Sequence, residues 1–481
     1  MQHILPRFIL AGLSGGTGKT IVSLALARAF SRRGLRVAPF KKGPDYIDAR
    51  WLALAAGRPC SNLDPFFHAD PVIRSLFWHK SQGSDLSLVE GNRGLFDGKD
   101  EHGSCSTAEL ARKLDAPVIL TIDCTKMTRT VAAILLGCAS FEPDLRLAGV
   151  ILNRTAGERH RSVLRRSIEE YTDIPVLGML PKIGDNPIPE RHMGLMSDQE
   201  FRDGGSDLGQ PALDSLAAMA EEWLNLDAIR AVAECAPPFK AEPAPLFPGP
   251  PAPVSARIGY VRDAALWFYY PENLDALTHA GAELVRLSLL AEDPWPDMDG
   301  LYLGGGFPEV FAGRIAANKR VLATIRSLSQ AGMPIYAECG GFMVLCESLD
   351  CVDAAGKAGP HVMTGVIPAA TSLCAKPQGL GYTESVVEVG SPFFLPGETV
   401  LGHEFHYSVC LADPGAPLPF SLRMLRGSGI GGGRDGVLYE NTFAGYTHIH
   451  ALAAPAWAPR FVAAAARWRG SVDSGLSEEQ T

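Results

Sequence analysis

The sequence predicts an α/β protein of two domains, each a parallel sheet covered by helices. Three observations carry this. Short β-like apolar runs alternate with helical patterns through both halves of the chain. The glycine-rich stretch GLSGGTGKT, Gly12 to Thr20, stands between an apolar run and a helical pattern. A proline-rich segment, 236–255, carries eight prolines in twenty residues and divides the halves. Average proline usage is about 5%, so this segment reads as an extended spacer rather than packed structure.

The elements follow in chain order. In the first half the β-like runs are Phe8–Ala11, Arg36–Phe40, Leu86–Val89, Val118–Ile122, Leu147–Leu152 and Val176–Met179. After Thr20, residues Ile21, Leu24, Ala25 and Ala29 fall at i, i+3, i+4 and i+8, one face of a helix. In the second half the runs are Arg257–Val261, Glu283–Leu287, Gly300–Leu303 and Pro334–Ala337, with further strands expected at Thr383–Val389 and Tyr446–His448. The reading gives domains at 1–235 and 256–470 and a disordered tail at 471–481.

Composition excludes several classes. The chain has 481 residues, room for more than one core. A net charge of −9 argues against general nucleic-acid binding. No apolar run is long enough to cross a bilayer. No basic region and cleavage site precede the first strand, so a cytoplasmic protein is expected. The ten cysteines include no C-x-x-C pair, which suggests reduced thiols rather than a zinc site or a disulfide framework.

The first candidate site is the glycine loop. Strand, loop and helix in that order point backbone N–H groups at one spot, where a polyphosphate sits on a helix N-terminus. Gly15, Gly16 and Gly18 shape the loop, Lys19 reaches the outer phosphates, and the Thr20 hydroxyl holds Mg²⁺. Leu13 stands where the usual phosphate loop has its first glycine, so the pattern resembles the deviant loop of the dethiobiotin synthetase and ParA/MinD-like group. Ligands of such sheets bind at the carboxyl ends of the strands. There lie KKGPDYID, with Lys41, Lys42, Asp45 and Asp48, and EGNRGLFDG, with Glu90 and Asp97. Asp45 and Glu90, with Thr20, are candidate Mg²⁺ ligands. Asn153 ends the run AGVILNR; its amide either binds a nucleotide base or caps an ordinary turn.

The second candidate site is MPIYAECGGFMVL. Cys339 follows a β-like run and precedes glycines and a helical pattern, which describes a nucleophile elbow. The Gly340 N–H helps bind an oxyanion, and YLGGGFPE, with Gly305 and Gly306, offers a second N–H. A thiolate nucleophile needs a base. AGYTHIH supplies His448 and His450, which as neighbours two apart on a strand both face Cys339. His403 and His406 in GHEFHYS read as core or pocket groups.

With these residues in place, the chain resembles the cobyrinic acid a,c-diamide synthases, glutamine-dependent amidotransferases of cobalamin biosynthesis. The resemblance runs from residue 8 to 460. It rests on GxxGGTGKT, FKKGPDYID, VEGNRGLFDG, IPERHMGL, LYLGGGFPE, YAECGGFMVL, QGLGYTES, GHEFHYS and YTHIH. The GPDYID segment separates it from cobyric acid synthase. The resemblance implies a dethiobiotin synthetase-like P-loop domain followed by a class I glutamine amidotransferase-like domain. It makes Cys339 the nucleophile, His448 its activator and Lys41, rather than Lys42, the family lysine. Related class I domains have Glu two residues after the histidine; here that place is His450, so a Cys-His dyad is read. ATP and Mg²⁺ are implied, with glutamine and a tetrapyrrole carboxylate as substrates. Ammonia released from glutamine travels inside the protein to an acyl phosphate, and Asp48 and Asp97 act near substrate or metal. Diamidation of hydrogenobyrinic acid or nickel sirohydrochlorin is the near alternative, and a ParA/MinD-like switch protein the distant one. The oligomeric state stays open, a homodimer included.

Overall fold

The computed structural model describes all residues except 1, 185–187, 189, 192–193, 196–208, 241–243, 414, 416 and 479–481. Three residues of the IPERHMGL motif, 189, 192 and 193, lie outside the described residues. The chain divides into two compact units, Met1–Leu246 and Phe247–Thr481. Among the described residues no helix is long and apolar enough to cross a membrane.

The first unit is built on β1 (Arg7–Gly12), α1 (Lys19–Arg32), β2 (Val37–Lys42), α2 (Ile47–Ala56), β3 (Ser61–Leu63), β4 (Leu86–Glu90), β5 (Val118–Asp123), β6 (Leu147–Thr155) and β7 (Val176–Pro181). The sheet order is β3-β2-β4-β1-β5-β6-β7, and every pairing is parallel. Helices cover both faces of such a sheet, which is why its strands read as continuous apolar runs. Phe8 and Leu10 pack with Leu24, Phe30, Trp51 and Leu216 in one core. Because β1 lies at the centre, the loops after β1, β2, β4 and β6 open at the same sheet end.

The front of the proline-rich segment is pinned to this unit. Phe239–Lys240 pairs antiparallel with Gln2–His3. The buried Phe239 ring lies against Phe77 and under the Arg7 and Arg74 guanidinium groups.

The second unit contains β8 (Ala256–Val261), α3 (Pro271–His279), β9 (Ala282–Leu287), β10 (Gly300–Leu303), β11 (Ile335–Glu338), α4 (Gly340–Leu345), β12 (Cys346–Val352), β13 (Ala358–Val362), β14 (Ile367–Leu373), β15 (Gly379–Val387), β16 (Thr399–His406), β17 (Ser408–Ala412), β18 (Phe420–Arg426), β19 (Arg434–Tyr439), β20 (Thr442–Gly445), β21 (His448–Ile449) and α5 (Trp457–Glu478). A ten-stranded sheet has the order β9-β8-β10-β11-β20-β19-β18-β15-β16-β21. It is parallel from β9 to β20 and antiparallel beyond, so the sheet is mixed rather than parallel throughout. Short loops between β18, β19 and β20 produce the antiparallel part, since a parallel return needs a crossover. A second sheet, β13-β12-β14-β17, follows the elbow helix.

Two expectations are corrected. Tyr446–His448 is not one strand: β20 stops at Gly445, and β21 begins at His448. The buried Asp435 carboxylate accepts the Tyr446 and Thr447 N–H groups, each at 3.0 Å, and so turns the chain between the two strands. Nor is the tail after 470 wholly unstructured, because α5 continues to Glu478. Its packed first turns, with Trp457, Phe461 and Ala465 in the core, provide the costly nucleus, and extension adds one hydrogen bond per residue.

Two candidate active sites

In the first unit the loop after β1 delivers Thr17, Lys19 and Thr20 to the start of α1. Gly16 has φ +75° and Gly18 φ +90°, both in the left-handed region where a side chain is strained. A Cβ on Gly18 would also lie 2.1 Å from the Asn153 amide nitrogen. Gly15 is different, since a Cβ there meets nothing within 4 Å. It lines the cavity, and its exposed backbone leaves room for a ligand to approach.

Thr20 is the hub of a buried polar cluster. Its hydroxyl donates to Glu90 Oε1 at 2.8 Å and to Asp48 Oδ2 at 3.2 Å. Lys41 Nζ donates to the same two oxygens at 2.7 and 2.6 Å. Asp45 stands further out, its Oδ2 3.8 Å from Lys41 Nζ, while its Oδ1 accepts the Asp48 N–H. Asp48 is therefore the carboxylate beside Thr20 and Glu90, and Asp45 orients its backbone. Sequence reasoning chose Asp45 for the oxygen set and left Asp48 without a separate role.

The charges shift one another. Burial would lower the Lys41 pKa, but Asp48, Glu90 and Asp45 outweigh it and hold the ammonium well above its usual value. Burial, then Asp48, pushes the Asp45 carboxyl up to about 7. For Asp48, burial is overcome by Lys41, and the carboxyl is held below the usual value. Burial and the nearby Lys41 lower the Lys19 pKa. Lys19 Nζ donates to Ser14 O at 2.8 Å, so its ammonium closes the loop it belongs to.

Lys19, Thr20, Lys41, Asp48 and Glu90 line a cavity of about 890 Å³ with Gly15, Gly16, Gly18 and Asn153. Asn153 Nδ2 donates to Thr17 O at 2.9 Å, so one of its donors braces the loop. Asp97 Oδ2 accepts the Gly94 N–H at 2.9 Å and shapes the turn beside Leu13. Sequence reasoning missed Asp123, Thr125 and Lys182, which also line the cavity. Their signal was the one used for Glu90, a polar residue just past a strand. Lys42, next to Lys41 on β2, is buried, with Asp64 as its opposing charge. Among the described residues no group of three His, Cys, Asp or Glu side chains is arranged to hold a metal alone. The fit is instead that of Mg²⁺ shared with phosphate oxygens: Thr20, Asp48 and Glu90 converge as hard oxygen donors.

In the second unit Cys339 caps the helix that follows β11. Its φ of +47° and ψ of −101° lie outside the ordinary regions for a residue with a side chain. Such strain is held only where the surroundings dictate it. Here the Cys339 N–H donates to Gly445 O at 2.7 Å. A Cβ on Gly341 would strike Leu303 O at 2.3 Å, and one on Gly340 would lie 3.0 Å from Gly306 N. Burial pushes the Cys339 thiol up, with the Glu309 carboxylate adding to it and the Gly340 N–H working against it. Burial, the largest of these effects, favours the protonated sulfur.

Gly305 has a reason that spacing did not reveal. A Cβ there would lie 2.4 Å from His448 Cε1, so the glycine makes room for the ring. Gly304 N–H already donates to Tyr269 Oη at 2.8 Å, and Phe307 N–H to Ala265 O at 2.8 Å. Gly305 and Gly306 pair antiparallel with Phe268 and Leu266, so a second oxyanion donor from this loop must be an N–H of these two that the pairing leaves open.

The histidines separate. The His448 ring stacks on His403, with centroids 4.8 Å apart, and its Nδ1 lies 3.7 Å from Glu338 Oε2. His450 lies beyond β21, with Nε2 3.5 Å from Glu272 Oε2 and its ring against Tyr270. The break at Tyr446–Thr447 and the end of β21 remove the shared-face argument for this pair. His406 stacks on Tyr446 at 3.6 Å, and its Nδ1 faces Ser408 O at 2.9 Å. Glu338 was missed, although a charged residue inside a wholly buried run, IYAE, was its signal.

Both halves of the chain match known families. Residues 8–195 match the family model described as the CobQ/CobB/MinD/ParA nucleotide binding domain. Residues 257–456 match the model described as the CobB/CobQ-like glutamine amidotransferase domain. The chain is 43% identical to the cobyrinate a,c-diamide synthase of Magnetococcus marinus, over 98% of this chain and 99% of that one. It is 39% identical to that of Archaeoglobus fulgidus, over 95% and 97%, and 38% identical to that of Salmonella typhimurium, over 96% and 98%.

Proposed function

The chain belongs to the cobyrinate a,c-diamide synthases, and we propose that residues 256–470 release ammonia from glutamine while 1–235 spend ATP to amidate the macrocycle. It is a carbon–nitrogen ligase of cobalamin biosynthesis with glutamine as amido-N donor. The observation that carries the division of labour is one chain holding a strained Cys339 elbow and a Thr20–Glu90–Asp48–Lys41 cluster on a glycine loop. A ParA/MinD-like switch would have no use for the elbow.

At the second site His448 takes the Cys339 proton as sulfur attacks the glutamine side-chain amide. Gly340 N–H and an N–H of Gly305 or Gly306 steady the oxyanion. The tetrahedral intermediate collapses to a thioester, ammonia leaves with the proton from His448, and water then frees glutamate. At the first site a macrocycle carboxylate attacks the γ-phosphorus of ATP, the bond from that phosphorus to the β,γ-bridging oxygen breaks, ADP leaves, and an acyl phosphate is formed. Glycine-loop N–H groups, Lys19 and Lys41 hold the charge on the transferring phosphoryl. Ammonia then displaces phosphate, and the cycle runs once at each of two acetates. Thr20, Glu90 and Asp48, with Asp45 behind, would hold Mg²⁺, which when bound neutralises phosphate charge. Asn153 and Asp97 keep the loop in shape around the nucleotide.

The same reading puts the reaction among reduced thiols in a cytoplasm, as a sequence whose ten cysteines include no C-x-x-C pair suggests. It admits a homodimer. Mass spectrometry of products from cobyrinic acid, hydrogenobyrinic acid and nickel sirohydrochlorin, each with ATP, Mg²⁺ and glutamine, tests it. Two mass steps of one amide each are expected from cobyrinic acid. Turnover of another macrocycle alone reassigns the substrate.

A further inference from the structure

We propose that Glu338 is the positioning carboxylate of the glutaminase site, holding His448 in the orientation and charge state that activate Cys339. The inference rests on the reading of Cys339 and His448 as nucleophile and base. It begins with a vacancy in the sequence: the place two residues after His448 is a histidine, and His450 is engaged by Glu272 at 3.5 Å. The carboxylate facing His448 comes from elsewhere in the chain.

Glu338 is the last residue of β11, fully buried, directly before the nucleophile. Both its oxygens are fixed. Oε1 accepts the Ile449 N–H at 3.1 Å, which ties it to β21, the strand that carries His448. Oε2 accepts the Tyr302 hydroxyl at 3.0 Å and stands 3.7 Å from His448 Nδ1. The ring therefore turns Nδ1 to the carboxylate and leaves Nε2 for the reacting atoms. At 3.7 Å the contact is longer than a hydrogen bond, but such contacts tighten when substrate binds.

The electrostatics give the arrangement its purpose. A buried carboxylate is costly unless a charge answers it. Among the described residues no lysine or arginine lies within ion-pairing distance of Glu338. His448 supplies that answering charge when it takes the Cys339 proton and becomes imidazolium. The field is built in advance for a charge that appears only during turnover. A sign difference makes the idea testable. Acting directly on the thiol, the Glu338 charge disfavours thiolate. Acting through His448, it favours the thiolate–imidazolium pair.

Glu338→Gln keeps the shape and an acceptor for Ile449 N–H while removing the charge. It is expected to cut glutaminase kcat about a hundredfold, the low end for a positioned acid–base group, with KM for glutamine little changed. Iodoacetamide labelling of Cys339 at neutral pH is expected to slow. Glu338→Asp, which keeps the charge, should retain more of both than Glu338→Gln. Tyr302→Phe, which removes only the hydroxyl bonded to Oε2, should stay within a few-fold of wild type. Faster labelling in Glu338→Gln, or Asp no better than Gln, or equal loss in Tyr302→Phe, overturns the proposal. If Cys339→Ala and His448→Ala keep glutamine-dependent turnover, the underlying reading fails instead.

Discussion

Thr20 Oγ1 donates to Glu90 Oε1 at 2.8 Å, joining the end of the glycine loop to the end of β4. That bond fixes a hydroxyl and a buried carboxylate at one spot beside the cavity. Glu90→Gln is expected to keep the fold, since an amide oxygen can still accept from Thr20. Amidation should fall about a hundredfold or more, the size typical of losing one preorganised charge group, and the Mg²⁺ requirement should rise. Lys19→Ala should lose a similar factor with a normal Mg²⁺ requirement. Steady-state rates at saturating ATP across a Mg²⁺ series check both; unchanged turnover in each removes this site assignment.

Asp45 makes the first unit sensitive to pH. Its folded pKa of about 7 lies above the ordinary value of 3.8, so the native chain binds the extra proton. The stability it contributes is fully present below pH 4 and is lost as pH rises through about 7. Mg²⁺ binding should show the opposite trend and weaken as Asp45 protonates below 7. Melting temperatures without ligand, and Mg²⁺ titrations with ATP, between pH 5 and 8 test this against Asp45→Asn. Both slopes should flatten in the variant; identical slopes contradict the role given to Asp45.

The two histidines of YTHIH should part company. His448→Ala is expected to slow glutaminase turnover and iodoacetamide labelling of Cys339 together, because thiolate is the reactive form. His450→Ala removes the ring that faces the buried Glu272 carboxylate, so it should lower the melting temperature while affecting labelling much less. Greater damage to both rates from His450→Ala would show that the base has been assigned to the wrong histidine.

How far the site was legible depends on how local its pattern is. The glycine loop and the elbow are short, contiguous motifs whose glycines answer backbone demands at Gly16, Gly18 and Gly341, so sequence could find them. The break at Tyr446–Thr447 could not be read, because Asp435, eleven residues before Tyr446, captures the amides. Asp48 and Asp45 looked equivalent in GPDYID. They differ because α2 starts between them, at Ile47, and turns Asp48 toward Thr20. The antiparallel half of the second sheet carries QGLGYTES and GHEFHYS, but those motifs do not state a strand direction, and the pairing of Gly379–Val387 with Thr399–His406 and Phe420–Arg426 depends on partners remote in sequence.

Gly305 offers a steric test of the second site. Gly305→Ala would place a methyl 2.4 Å from His448 Cε1 and displace the ring. Glutamine-dependent amidation should fall at least tenfold, as for a misplaced catalytic group, with ammonium-dependent amidation retained. Equal loss with both nitrogen sources would point to general unfolding of the chain.

The most direct measurement exchanges the nitrogen source in Cys339→Ala. The variant is incubated with cobyrinic acid, ATP, Mg²⁺ and either amide-¹⁵N glutamine or high ¹⁵N ammonium, and the products are read by mass spectrometry. Diamide labelled from ammonium, with none labelled from glutamine, is expected if Cys339 serves only to release ammonia. A folded variant that amidates with neither source, or still transfers the label from glutamine, contradicts the division of the reaction between the two sites.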